Sequence, residues 1–168
     1  MWRSIGQWLD RHLWTLPLLI FLGTEAGFIT TRFVKEGALL LARLDADHRK
    51  EIYSSLTGSS SGLLGFALAA VAIMAAFGRR SAETSEERQR ENRLADARVG
   101  ISKILLATSA LLMVILVTAT LAVGIDDGKT GSFFFTSIIT SAGVSSVIGL
   151  LVSCAGLTLS LAERSQEP

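Results

Sequence analysis

Four stretches of this chain are apolar for long enough to cross a bilayer as helices, and nothing else constrains its fold as strongly. They cover about 13–34, 56–77, 101–123 and 133–161. A transmembrane helix needs about 20 apolar residues to traverse a hydrocarbon core about 30 Å thick. Within that core every backbone polar group must be satisfied internally, which leaves the helix as the economical solution. The expected fold class is an all-α membrane protein: four transmembrane helices in a single transmembrane domain over 1–168, with an N-terminal interfacial helix and a charged cytoplasmic helical extension. Composition agrees. Hydrophobic residues make up 49% and charged residues 18%, with mean hydropathy +0.46, where a soluble domain carries about 25% charge. A net charge of +1 leaves no basic face to neutralise phosphates, so no nucleic-acid partner is expected.

The segments between the spans set orientation. In residues 2–12, WRSIGQWLDRH, the positions Trp2, Ile5, Trp8 and Leu9 share one helical face opposite Arg3, Gln7, Asp10 and Arg11. That pattern suits a helix lying at the membrane surface, with tryptophan at headgroup depth. The run LPLLIFLG after this basic start also resembles a signal peptide, with Thr24 and Ala26 at the small-residue positions; we read it as the retained first span. Asp45 or Asp47 is placed to cap a helix running through HRKEIYSSL into the second span. Residues 79–100 form a charged connection, helical where Thr84 or Ser85 can cap it and Glu86 pairs with Arg90. Ten of the sixteen lysines and arginines fall on the side that holds the termini and this connection. The positive-inside rule therefore puts both termini in the cytoplasm. The 79–98 stretch offers a surface to a cytoplasmic partner.

Gly58-Ser-Ser-Ser-Gly62 matches the G-x-S-x-G of serine hydrolases, but no strand precedes it and no histidine lies in a span, so the elbow geometry has no support. Spacing points elsewhere. Gly58, Gly62, Gly65, Ala69, Ala72 and Ala76 recur at intervals of four and three, a seam of small residues. Such seams let helix backbones approach closely in lipid. Ala142, Ser146, Gly149, Ser153, Gly156 and Ser160 repeat the rhythm in the fourth span. Two arrangements are open. The seams pack against each other inside one bundle, or one seam meets its copy in a neighbouring subunit and the serine seam lines a narrow wet path. The third span has larger residues between Ala107, Ala110, Thr118 and Ala122 and reads as peripheral.

Glu25 interrupts the first span. An ionisable group at membrane depth is a functional candidate by default, because hydrocarbon does not solvate it. Arg32 lies seven residues on, about 10 Å along the axis, too far for pairing within the helix. Thr24, Thr30, Thr31 or a serine of the fourth seam are the expected neighbours. The alternative places Glu25 near the outer interface, bonded to backbone or water. The lone Cys154, in an apolar run, reads as a packing residue. His12 and His48 have no partner at metal-ligand spacing, and no cofactor or metal is expected.

The segment HRKEIYSSLTGSSSGLLGFALAAVAIMAAF resembles the opening of small multipass bacterial membrane proteins, some of which accompany antiphage defence genes, as the tetraspanning subunit of the Kiwa system does. That resemblance implies a bacterial inner-membrane protein. Glu25 in a first span of four is also similar to the small multidrug resistance transporters, from which the long 79–98 loop and the charged first loop depart. The leading expectation is a homo-oligomeric, non-enzymatic pore or membrane-sensing assembly. An accessory or scaffold subunit for another membrane protein comes next, and a small proton-coupled transporter using Glu25 third. An enzyme is the weakest reading, since no triad, metal cluster or phosphate loop is present in the sequence.

Overall fold

The computed structural model describes residues 13–35, 40–76, 85–126 and 131–165. The proposed interfacial helix at 1–12, with His12, lies outside these, as do 79–84. The described chain is four helices: α1 (Leu16–Lys35), α2 (Ala46–Ala76), α3 (Ser85–Ile125) and α4 (Phe133–Ser165). Short 3-10 turns at Leu13–Thr15 and Leu40–Arg43 precede α1 and α2. No strand occurs among the described residues. Three helices are long and apolar enough to cross a membrane, over Ala46–Ala76, Ala95–Ile125 and Phe133–Thr158.

Two junctions follow from local sequence. Asp45 directly precedes α2, and its carbonyl accepts the Arg49 amide at 3.0 Å. From there α2 runs unbroken for 31 residues, about 46 Å at 1.5 Å per residue. The charged 85–98 stretch and the third span are one continuous helix of 41 residues. The polar extension therefore projects from the bundle along the axis of α3.

Contrary to the peripheral reading of the third span, α3 is the centre of the bundle. It packs along its length against α2 on one side and α4 on the other, while α1 packs mainly on α4. Three apolar layers stack along it. Near its C-terminal end Ala119 and Ala122 meet Tyr53 of α2 and Ile139 of α4. In the middle Leu112 and Ile115 meet Ala142, with Phe21, Leu56 and Leu64 packed on them. Toward the charged end Ile101 and Leu105 meet Ala67, with Leu150 and Leu157 alongside. The alanines of α3 do the opposite of facing lipid: Ala107, Ala119 and Ala122 are buried, and only Ala110 of that set is exposed.

The two small-residue seams have opposite fates, and they do not pack against each other. In α4, Ala142, Ser146, Gly149 and Ser153 are buried against α3. A Cβ at Gly149 would overlap the Thr108 hydroxyl and reach within 3.3 Å of Pro17, and one at Gly156 would come within 3.2 Å of Ile101. Gly149 is thus the point where α3 and the start of α1 press closest on α4. The side chain of Ser160 is outside the described ones. In α2, by contrast, Gly58, Gly62, Gly65, Ala69, Ala72 and Ala76 are all exposed. Nothing lies within 4 Å of a Cβ built at any of the three glycines. The packing side of α2 is a different row: Tyr53, Ser60 and Ala67 are buried, with Leu56, Leu64, Val71 and Met74 partly so. Only 11% of the apolar stretch of α2 is buried, against 50% for α3 and 39% for α4. Cys154, read as a packing residue, is instead exposed on α4.

Candidate functional site

Glu25 stands midway along α1, half-buried against α4. Its Oε1 accepts a hydrogen bond from Ser137 Oγ at 2.8 Å and its Oε2 one from Ser141 Oγ at 2.7 Å. The two serines are four residues apart, hence one above the other on a single helical face, and both are buried. Their spacing matches the bite of one carboxylate. Thr24, Thr30 and Thr31, offered by sequence as neighbours, instead donate to carbonyls of their own helix. The serines that do bind belong to the fourth span but stand beside its seam, not in it.

Arg32 follows the expectation of no pairing with Glu25. Its guanidinium lies 4.6 Å from the centroid of the Phe133 ring, a cation–π contact. Between α1 and α4 these residues border a groove of about 570 Å³. Phe21, Ile29, Phe134 and Ile138 supply its apolar walls, Glu25 and Ser137 its polar centre, and Arg32 with Phe133 one end.

A second cluster closes the bundle where α2 begins and α3 ends. The guanidinium of Arg49 is fully buried, with Nε 3.3 Å from Oδ2 of Asp126. Arg49 also donates to the Leu44 carbonyl at 2.5 Å. Asp126 accepts the Ser132 amide at 3.0 Å and the Tyr53 hydroxyl at 3.4 Å. The Tyr53 hydroxyl is also 3.5 Å from that of Thr136. Gly131 packs closely on Arg49, where a Cβ would come within 2.9 Å of Arg49 Cδ and Nε, and its amide donates to the Ala42 carbonyl. Neither Arg49 nor Asp126 stands out in the sequence as a candidate site residue. The signal that could have found them is a lone Tyr-containing turn of α2 facing an Asp-Gly-rich connection, but 77 residues separate the pair.

The fourth-span serines do not line an open path among the described residues. Ser153 donates to the Gly149 carbonyl. The hydroxyls of Ser145 and Ser146 are buried without a hydrogen-bond partner, which costs free energy in an apolar setting. His48 is exposed, and no group of three or more His, Cys, Asp or Glu is placed to hold a metal among the described residues.

The fold and these sites define a class: a chain helical throughout its described residues, with three helices long and apolar enough to cross a membrane and an acid-bearing fourth packed mainly on the last of them. Comparison with protein-family models, curated proteins and solved structures finds no match for this chain.

Proposed function

We propose that this chain is a homo-oligomeric membrane protein whose subunits meet along the glycine–alanine face of α2 and enclose a pore. The observation supporting it is the outward position of Gly58, Gly62, Gly65, Ala69, Ala72 and Ala76, with open space at each glycine. A glycine inside a helix costs about 1 kcal/mol relative to alanine, and lipid tails return nothing for the missing side chain. A second backbone at close range does. Ser54, Ser55 and Ser61 are exposed on the same half of α2. A ring of α2 helices would carry their hydroxyls toward its interior, where they substitute for ion-hydrating water. The α4 seam is not the lining in this reading, being filled by α3.

In the same reading α1 is the fourth crossing. Its 20 residues extend about 30 Å, and Glu25 then sits within the membrane, held by Ser137 and Ser141. Four crossings return both termini to the side rich in lysine and arginine, the cytoplasm of a bacterial inner membrane. The charged part of α3 reaches a cytoplasmic partner there, and the resemblance of 48–77 makes antiphage defence the setting.

Native mass in nanodiscs, with planar-bilayer current from the same preparation, tests this. A defined oligomer with discrete conductance is expected, and Gly62→Leu with Gly65→Leu should reduce it to monomer. An unchanged mass in that variant refutes the α2 interface. A monomeric, silent wild type points to an accessory subunit that offers the same face to another protein. A second reading, a small proton-coupled transporter, draws support from the Glu25 carboxylate facing the α1–α4 groove; proton flux abolished by Glu25→Gln would establish it.

A further inference from the structure

We infer that the groove between α1 and α4 seats one acyl chain of a phospholipid, with the lipid's phosphate held by Arg32 at the groove's end. The proposal rests on the reading of α1 as a membrane crossing. It is independent of assembly through α2, of conduction and of any transported solute.

The cation comes first. Arg32 is exposed near the end of α1, with its guanidinium 4.6 Å from the centroid of the Phe133 ring. A guanidinium over a ring uses its face there and keeps its N–H donors, in a planar fork that matches phosphate oxygens. Among the described residues the ion pair is that of Arg49 with Asp126, so no carboxylate of theirs neutralises Arg32. The ring holds the side chain in place before a ligand arrives, which lowers the ordering cost of binding. Phe133 is the first residue of α4, so this cation stands where α1 finishes and α4 starts, at the opposite end from the charged start of α3.

The walls and the length of the groove choose the rest of the ligand. Phe21, Ile29, Phe134 and Ile138 are apolar, and the two oxygens of Glu25 at the midpoint are engaged by Ser137 and Ser141. Hydrocarbon is therefore what the groove accepts along most of its course. The α1 residues that line it run from Phe21 to Arg32, about 16 Å along the helix axis. One leaflet fills about half of a hydrocarbon core about 30 Å thick, so an acyl chain laid in the groove brings its own phosphate level with Arg32. Ile29 and Phe134 are exposed at the rim, at 46% and 63%, which opens the groove sideways, and a chain enters it from the bilayer. A free phosphate gains nothing from these walls, and a diglyceride lacks the group that Arg32 reads.

Native mass spectrometry of the full chain, titrated with lipid in detergent, tests the assignment with two probes that share their acyl chains, phosphatidylglycerol and diacylglycerol. Phosphatidylglycerol should bind saturably at one per chain, and diacylglycerol at least about tenfold more weakly for want of a charge-assisted hydrogen bond. Arg32→Gln should weaken phosphatidylglycerol binding at least about tenfold for the same reason. Arg32→Lys should restore most of it, since the charge is kept and only the fork is lost. Phe134→Ala removes apolar wall and should weaken binding a few-fold. Arg32 and Phe134 are both exposed, so unchanged melting temperatures check that these variants fold. Equal binding of the two probes overturns the proposal, as does an unchanged affinity in Arg32→Gln or Phe134→Ala. Competition by inorganic phosphate also overturns it, because the site would then read a free anion. Reporters at residues 1 and 168 found on opposite sides of the membrane would remove α1 as a crossing and the proposal with it. With both reporters on one side, a failure of the lipid arms refutes the groove alone.

Discussion

Arg49 is among the largest fully buried side chains of the described residues, and its partner Asp126 is 5% exposed. A pair this dry is worth little in itself, because desolvation offsets most of the attraction, but removing one partner strands the other. Asp126→Ala should cost about 3–5 kcal/mol in thermal unfolding in detergent. The joint replacement Arg49→Met with Asp126→Leu should cost much less, and equal losses would show that charge stranding is not the cause. Polar groups without partners predict the reverse sign. The Ser146 hydroxyl is buried and unbonded, so Ser146→Ala should be neutral or stabilising by up to about 1 kcal/mol. Ser141→Ala removes a donor from the Glu25 carboxylate and should destabilise by about 1.5–3 kcal/mol. A melting temperature that falls equally for both serine variants would contradict the hydrogen-bond assignments. Glu25 itself stood out in the sequence as an acid amid apolar residues. Its serine partners did not, because serine in a small-residue helix looks the same whether it bonds its own backbone or a carboxylate 112 residues away.

At the scale of one helix, α2 and α4 show how a repeat in sequence fails to say which side it faces. Length and hydropathy made three spans legible, the second, third and fourth, as Ala46–Ala76, Ala95–Ile125 and Phe133–Thr158, and the run from the first loop into the second span is one helix as expected. The facing was not legible. α2 carries its exposed row from Gly58 to Ala76 and a packed row through Tyr53, Ser60 and Ala67, both at helical spacing and both with small residues. With little contrast between the rows, no hydrophobic face announces the interior. The third helix misled for a related reason: large residues between its alanines looked lipid-facing, whereas a central helix is apolar all round because it is packed on two sides. Two glycines separate these situations experimentally. Gly149→Val must displace Thr108 and Pro17 and should destabilise the isolated subunit by about 1–3 kcal/mol. For Gly62→Val the added Cβ meets nothing within 4 Å, so subunit stability should hold within about 0.5 kcal/mol, and unfolding followed in dilute detergent distinguishes the two.

For the molecule as a whole, the number of crossings decides where the ends lie. If α1 crosses with α2, α3 and α4, a fluorescent reporter at residue 1 and another at residue 168 should both be protected from an impermeant quencher added outside cells, while one inserted at 128 should be quenched. Protection of only one terminus would mean three crossings. The same arrangement bears on how the protein is made. Of the described helices α1 leaves the ribosome before the others, yet the helix it packs on, α4, follows after two more, and the hydroxyls that hold Glu25 arrive 112 and 116 residues later. At roughly 5–20 residues per second, an α1 that crosses would wait several seconds in the translocation machinery or the lipid with an unaccompanied acid. Retention beside the insertion channel until α4 is made would shield that acid, and chains truncated before residue 137 should be the ones that quality-control proteases remove.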